Sequence, residues 1–102
     1  MAELVFLLSA DIDIQRAYEF YEEYQIGRGV LFMQHLDDAF GQLRQFPESG
    51  TLFHRSYRRL LVPRFPYGIF YTIEGNRVII AWVADLRQEP EAIIRRLGGE
   101  GT

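Results

Sequence analysis

The chain has 102 residues, of which 48% are hydrophobic, enough for one domain with its own core and no disulfide or metal to stabilise it. It has no cysteine, which excludes disulfides, thiol catalysis and thiolate metal sites, and no apolar run approaches the roughly 20 residues that cross a bilayer. We therefore expect a single domain over residues 1–102, soluble and cytoplasmic, with no membrane association, no cofactor and no metal.

The charges are divided unevenly between the two halves of the chain. Residues 1–50 carry three arginines against nine acidic residues, whereas residues 51–102 carry eight arginines against five. All the basic residues are arginine, so bidentate recognition of phosphate or carboxylate is possible, but no amine can titrate. The net charge of −3 argues against a general nucleic-acid binder.

The first half of the chain predicts one strand and two helices. The apolar run at 4–8 has room for a strand, and Ser9 or Asp11 is placed to cap a helix after it. Apolar residues of that helix recur at Ile14, Ala17, Tyr18, Tyr21 and Tyr24. A second helix carries a stripe formed by Phe32, Leu36, Ala39, Leu43 and Phe46. Because only the break at 27–29 separates the helices, they should form an antiparallel hairpin.

The second half predicts strands at about 57–62, 68–73 and 77–85, with Gly75-Asn76 as the turn between the last two. The third strand is apolar on both faces, which predicts a central strand. A short helix should begin at 89–91 and end at Gly98-Gly99. The predicted fold is α+β: an N-terminal strand, an antiparallel helix hairpin, a three-stranded antiparallel meander forming one sheet, and a short C-terminal helix.

Four arginines lie within ten positions, at Arg55, Arg58, Arg59 and Arg64. Strand alternation sends Arg58 and Arg59 to opposite faces. The cluster can be an anion-binding face, for RNA phosphate or for acidic groups of a protein, or it can consist of solvated arginines paired with nearby acids. The sequence leaves both interpretations open.

Pro63 and Pro66 bracket Arg64 and precede Tyr67, which predicts a bend that re-aims these two side chains. Tyr67, and Tyr71 in the following strand, could present their hydroxyls to a partner, although packed aromatic roles are the simpler interpretation. The two histidines, at 35 and 54, have neither metal-ligand nor catalytic-triad spacing.

The Arg-Arg-Leu-Leu run at 58–61, the Arg-Phe-Pro-Tyr-Gly-Ile-Phe-Tyr block at 64–71 and the apolar strand after it resemble the ParE/RelE superfamily of toxin–antitoxin and plasmid-stabilisation proteins, on its ParE-like branch. The resemblance covers about residues 3–97. It implies a toxin that inhibits its target, DNA gyrase, by binding, and that a cognate antitoxin neutralises. The target-binding candidates are Arg58, Arg59, Arg64, Tyr67, Tyr71, Arg87, Arg95 and Arg96.

Two alternatives remain open: a RelE-like endoribonuclease that cuts messenger RNA in the ribosome, and a member that keeps the fold and partner binding but is not toxic. Relatives often show His-x-Arg-Arg-x-Pro where this chain has Asp-Leu-Arg-Gln-Glu-Pro at 85–90. RNA cleavage needs a base and an acid, for which Arg59, Asp85 and Arg87 are weak candidates. Because Arg87 should hold Asp85 ionised, a structural pair is favoured.

Overall fold

The computed structural model describes residues 1–88 and 90–98. The elements are β1 (Glu3–Phe6), α1 (Leu8–Tyr24), α2 (Arg28–Gln45), a 3-10 turn (Pro47–Ser49), β2 (Thr51–His54), β3 (Tyr57–Leu61), β4 (Tyr67–Glu74), β5 (Arg77–Asp85) and α3 (Pro90–Gly98). Glu89 and Gly99, predicted at the ends of the last helix, lie outside the described residues. Within the described ranges, no helix combines the length and apolar character needed to cross a bilayer.

Five strands form one sheet in the order β1-β5-β4-β3-β2. β1 runs parallel to β5, and all other neighbours are antiparallel. The predicted α+β class is confirmed, but the sequence predicted four strands and missed β2. This edge strand has only four residues, the first two of them exposed, so no apolar alternation marks it.

The tip of the helix hairpin depends on two glycines. Gly27 has φ +89°, a left-handed conformation that favours glycine. The Glu22 carboxylate accepts hydrogen bonds from the backbone N–H groups of Gly27 and Gly29, which satisfies donors at the start of α2. A Cβ at Gly29 would lie 2.8 Å from the carbonyl oxygen of Tyr18, so only glycine allows the two helices to approach this closely.

The main core lies between the helix hairpin and one face of the sheet. Phe32, Leu36 and Leu43 of the predicted stripe are fully buried. Phe46 is not: it is 62% exposed, because α2 ends at Gln45 and the backbone of Phe46 leaves the helical conformation. The prediction that Phe46 completes the buried stripe is therefore wrong. Tyr24, the last residue of α1, is also exposed, which corrects its place in the predicted apolar pattern.

A smaller core covers the other face of the sheet. Phe70 and Ala84 pack there with Ile93 of α3, and Phe53 and Trp82 complete the contact. β5 lies between β1 and β4 and has apolar neighbours on both faces, as its composition predicted.

Polar residues at the start of α1 bind the edge of β5 instead of capping the helix. Leu7 is the N-cap residue and no side chain bonds the free N–H groups there. The Ser9 hydroxyl donates to the Ala81 carbonyl oxygen at 2.7 Å, beyond the point where β1 stops pairing with β5. The prediction that Ser9 or Asp11 caps α1 is therefore wrong, because an edge carbonyl of the sheet takes the Ser9 hydroxyl.

Candidate functional site

Arg58 and Tyr71 are cross-strand neighbours that bind the chain leaving α2. Arg58 donates to the carbonyl oxygens of Glu48 and Gly50, at 3.2 and 2.8 Å. The Tyr71 hydroxyl accepts from the Gly50 N–H at 2.9 Å and donates to the Pro47 carbonyl at 2.7 Å. Burial raises the pKa of Tyr71. Both side chains hold the 3-10 turn against the sheet, and their target-binding role remains a prediction.

Arg59 lies on the opposite face of the sheet from Arg58, as alternation predicted. Its guanidinium carbon lies 5.2 Å from the Phe53 ring centroid, and its side chain passes over Gly68, within 3.2 Å of where a Cβ would be. The Arg59 Nε atom is buried and has no hydrogen-bond partner among residues 1–88 and 90–98. The two adjacent arginines therefore do not form a common anion-binding surface.

In the bend at residues 63–66 the Arg64 side chain points outward, and directly after the bend the Tyr67 side chain points into the core. Arg64 is exposed and has φ +71°, a conformation that costs a side-chain-bearing residue roughly 1–2 kcal/mol. Tyr67 is only 9% exposed and contacts the rings of Tyr21 and Phe32. Burial raises the pKa of Tyr67 to about 12, so its hydroxyl keeps its proton at neutral pH.

Asp85 and Arg87 form a bidentate ion pair at the end of β5. Arg87 Nε lies 2.9 Å from Asp85 Oδ1, and Arg87 NH2 lies 2.6 Å from Asp85 Oδ2. The hydrogen bonds from the Arg87 side chain lower the pKa of Asp85. A carboxylate with a lowered pKa is a weak general base. The pair expected from the sequence is confirmed.

Replacing Arg87 by glutamine is expected to raise the pKa of Asp85 towards the ordinary value of about 3.9. A carboxyl whose folded pKa lies below its unfolded pKa stabilises the fold above the unfolded value, and this contribution is lost as pH falls through the folded pKa. In Arg87→Gln, Asp85 should therefore contribute less to the loss of folding stability at acid pH. Carbon-detected NMR titration of the Asp85 carboxyl measures the change, with Arg77→Gln as the control. An unchanged Asp85 pKa in Arg87→Gln would contradict the assigned cause.

Arg96 fastens α3 to the rest of the molecule. Its NH2 group donates to Asp13 Oδ2 at 3.0 Å, and its guanidinium carbon lies 5.4 Å from the Trp82 ring centroid. The same Asp13 oxygen accepts from the Val83 N–H at 3.1 Å, so one carboxylate joins α1, β5 and α3. Arg95, the residue before Arg96, is exposed and forms no ion pair within residues 1–88 and 90–98.

Arg64 and Arg87 lie on one surface, together with a third arginine that the sequence analysis missed. They line an open pocket of about 310 Å³ at the end of the helix hairpin, which we call the hairpin pocket. Its lining residues are Phe20, Tyr21, Tyr24, Arg28, Arg64, Phe65, Pro66 and Arg87. The missed signal was the four-residue spacing of Phe20 and Tyr24, which places both side chains on one ridge of α1, next to the turn that leads to Arg28 at the start of α2.

The histidines do not contribute to a metal site in the described residues. His35 lies beside the Phe65 ring, with 5.7 Å between the ring centroids, and His54 ends β2. No group of three or more metal-binding side chains occurs in the ranges 1–88 and 90–98.

A helix hairpin packed on an antiparallel meander, with an N-terminal strand parallel to β5, is the arrangement expected for the small ParE-like toxins that the sequence resembles. The family model of the ParE toxin of the type II toxin–antitoxin system, parDE, matches residues 4–90, and the chain belongs to this family.

Among the solved structures that match is a chain described as the chromosomal ParDE TA system from P. aeruginosa. It is 18% identical, with a TM-score of 0.74, over 84% of this chain and 97% of that chain. At this identity the match shows the shared fold. A comparison with curated proteins gives no match.

Proposed function

We propose that this chain is the toxin of a type II toxin–antitoxin system, that it inhibits DNA gyrase by binding, and that a cognate antitoxin neutralises it. The observation that carries the proposal is the match of the ParE toxin family over residues 4–90. The gyrase target follows from the ParE-like branch that the sequence resembles, and the antitoxin follows from the two-component system named for that family.

The geometry of the site supports binding over cleavage. Asp85, the candidate base, is paired with Arg87, which lowers its pKa. The hydroxyl of Tyr71 is occupied by backbone groups, and Tyr67 is buried with its pKa raised to about 12. The chain has no lysine. None of these groups is free to exchange a proton with a bound RNA near neutral pH.

The exposed arginines are the groups best placed to contact a target. Arg64 and Arg95 are exposed and form no ion pair within the described residues, whereas Arg58 and Arg96 make internal contacts. Charge-assisted hydrogen bonds contribute about 1.5–3 kcal/mol each, so losing one should weaken inhibition about tenfold or more. Arg64→Gln should show this loss in a gyrase supercoiling assay, and Arg44→Gln, at the exposed end of α2, should not.

Pulse-labelling of DNA and protein synthesis tests the function in cells. The chain is expressed from an inducible promoter without an antitoxin, and the incorporation of both labels is followed over the first minutes. DNA synthesis should fall first. An early fall in protein synthesis would support ribosomal cleavage instead, and no change in either despite folded protein would contradict a toxin.

One observation favours the endoribonuclease as a second candidate. Within the described residues the buried Nε atom of Arg59 has no hydrogen-bond partner, and this donor can bind a phosphate if the side chains that cover it move aside. If this arginine acts on RNA, induction should produce cuts in ribosome-bound messenger RNA that disappear in Arg59→Ala. Mapping of messenger RNA ends after induction distinguishes this activity from gyrase inhibition.

A further inference from the structure

Large apolar side chains are exposed together at the end of the helix hairpin. Phe20 is 53% exposed, Tyr24 73% and Ile26 92%. Phe20 and Tyr24 line the hairpin pocket, and Ile26 and Leu31 line a smaller pocket that shares Arg28 with it. Single exposed apolar residues are common on protein surfaces, but a contiguous group of this kind marks an interaction site.

Three arginines lie beside this apolar group. Arg28, Arg64 and Arg87 line the hairpin pocket, and no acidic residue of the described part of the chain lines it. Asp85 neutralises Arg87, but Arg28 and Arg64 are exposed and form no ion pair with any residue in 1–88 or 90–98. The Arg28 guanidinium carbon lies 5.8 Å from the ring centroid of Phe65, which also lines the pocket.

The backbone of Arg64 supports a role for its side chain. With φ +71°, this position would be less strained as glycine, yet an arginine occupies it at the mouth of the pocket. Residues held in costly conformations cluster at binding sites, where the orientation of the side chain is used. The bend therefore holds one cationic side chain at the hairpin pocket.

We propose that the hairpin pocket is the docking site of an acidic protein segment whose large apolar side chains pack on Phe20 and Tyr24 while its carboxylates pair with Arg28 and Arg64. The identity of that segment rests on the proposed function, according to which the segment is part of the antitoxin. Because Arg64 and Arg87 are also target-binding candidates, a docked segment would cover them and so block contact with the target.

The charges near the pocket favour a protein segment over RNA. Exposed aromatic and arginine side chains can stack on bases, but Glu19 and Glu23 directly precede Phe20 and Tyr24 on α1 and are exposed. The chain as a whole carries −3. An RNA strand carries a phosphate at every nucleotide and is repelled by this negative charge. A peptide can place a few carboxylates opposite the arginines, with apolar groups between them.

Selection from a library of random linear peptides displayed on phage tests the proposal directly. The wild-type chain is the target, and the variant carrying both Arg28→Glu and Arg64→Glu is used to remove peptides that bind elsewhere. Selected peptides are synthesised with a fluorescent label, and their affinities are measured by anisotropy. Circular dichroism and thermal melting establish that each variant is folded, and Arg28→Gln with Arg64→Gln provides a milder pair.

The selected peptides should be rich in aspartate or glutamate and in large apolar residues. Their affinity should fall about tenfold or more in both double variants, which lose two charge-assisted contacts, and should stay unchanged in Arg44→Glu. Phe20→Ser should weaken the same peptides. The proposal is overturned by no enrichment, by peptides without acidic residues, by equal binding to the double variants, or by tighter binding of labelled oligouridine to the pocket.

Two further measurements separate the possible failures. Sedimentation of the wild-type chain shows whether a second copy occupies the pocket, and self-association that Phe20→Ser abolishes would overturn the peptide assignment. The peptide measurements use purified protein and do not depend on toxicity. If acidic peptides bind the pocket while DNA synthesis continues in cells, only the proposed function is contradicted. If DNA synthesis falls but no acidic peptide binds the pocket, only the docking site is contradicted.

Discussion

Replacing Phe32 by alanine is expected to lower the free energy of unfolding by about 3–5 kcal/mol, because it removes a fully buried aromatic ring and leaves a cavity. The ring of Phe32 contacts those of Tyr21, Phe65 and Tyr67, with centroids 5.4, 5.2 and 5.3 Å away. It therefore joins both helices to the bend and to β4. Urea denaturation followed by circular dichroism measures the loss, which should also lower the melting temperature by about 4–8 °C per kcal/mol.

Phe46→Ala is the matched control, because it removes the same side chain at a position that the sequence pattern assigned to the same apolar stripe. Phe46 is 62% exposed, and the expected change is below about 1 kcal/mol. Equal losses in the two variants would mean that Phe46 packs in solution as the sequence pattern suggested, and that α2 extends beyond Gln45.

These two residues also show how far the sequence predicts the core. The spacing of Phe32, Leu36 and Leu43 indicates one face of a helix, and that face is buried. The spacing alone does not show where the helix stops. Pro47 marked the region of the break, but the departure at Phe46 depends on the 3-10 turn, which Arg58 and Tyr71 hold from the sheet.

The missed strand β2 has a similar explanation. Thr51 and Leu52 are exposed, and the strand bulges against β3 between Leu52 and His54. A short edge strand of this kind gains its hydrogen bonds from a neighbour already in the sheet, and not from burial of alternate residues. The longer strands β4 and β5 were predictable because their apolar runs reflect burial on both faces.

The candidate site was predictable only where its contacts are local. Asp85 and Arg87 are two residues apart, and their pairing follows from the sequence. The Arg96 and Asp13 pair spans 83 residues, and the sequence indicates neither partner. Some arginines, such as Arg58 and Arg96, therefore make internal contacts, whereas others, such as Arg28 and Arg64, are exposed and form no ion pair within the described residues.

The number of arginines in a sequence does not by itself show which of them form a binding surface. The second half of this chain carries eight arginines, whereas the first half carries three. The structure assigns Arg58 and Arg96 to internal contacts and adds Arg28, from the acidic first half, to the exposed group. A binding surface therefore depends on which guanidinium groups are left without internal partners, and only the folded chain determines that.

Asp13→Ala is expected to lower the free energy of unfolding by about 2–4 kcal/mol. The change leaves the partly buried Val83 N–H without an acceptor and the Arg96 guanidinium without its carboxylate, and both losses are destabilising. Because the Arg96 side chain is 36% exposed, solvent screens the ion pair, and most of the effect should come from the Val83 hydrogen bond. Urea denaturation measures the total, and hydrogen exchange should show faster exchange in α3.

The matched control is Asp11→Ala, which removes an exposed carboxylate from the first turn of the same helix. It should cost about 0.3–1 kcal/mol, the ordinary effect of an acid near a helix N-terminus. A double-mutant cycle isolates the ion pair, since Arg96→Ala should be less destabilising in the Asp13→Ala background than in the wild type. If exchange in α3 is unchanged and the cycle shows no coupling, Asp13 does not fasten α3, and the helix is held by Ile93 and its apolar contacts alone.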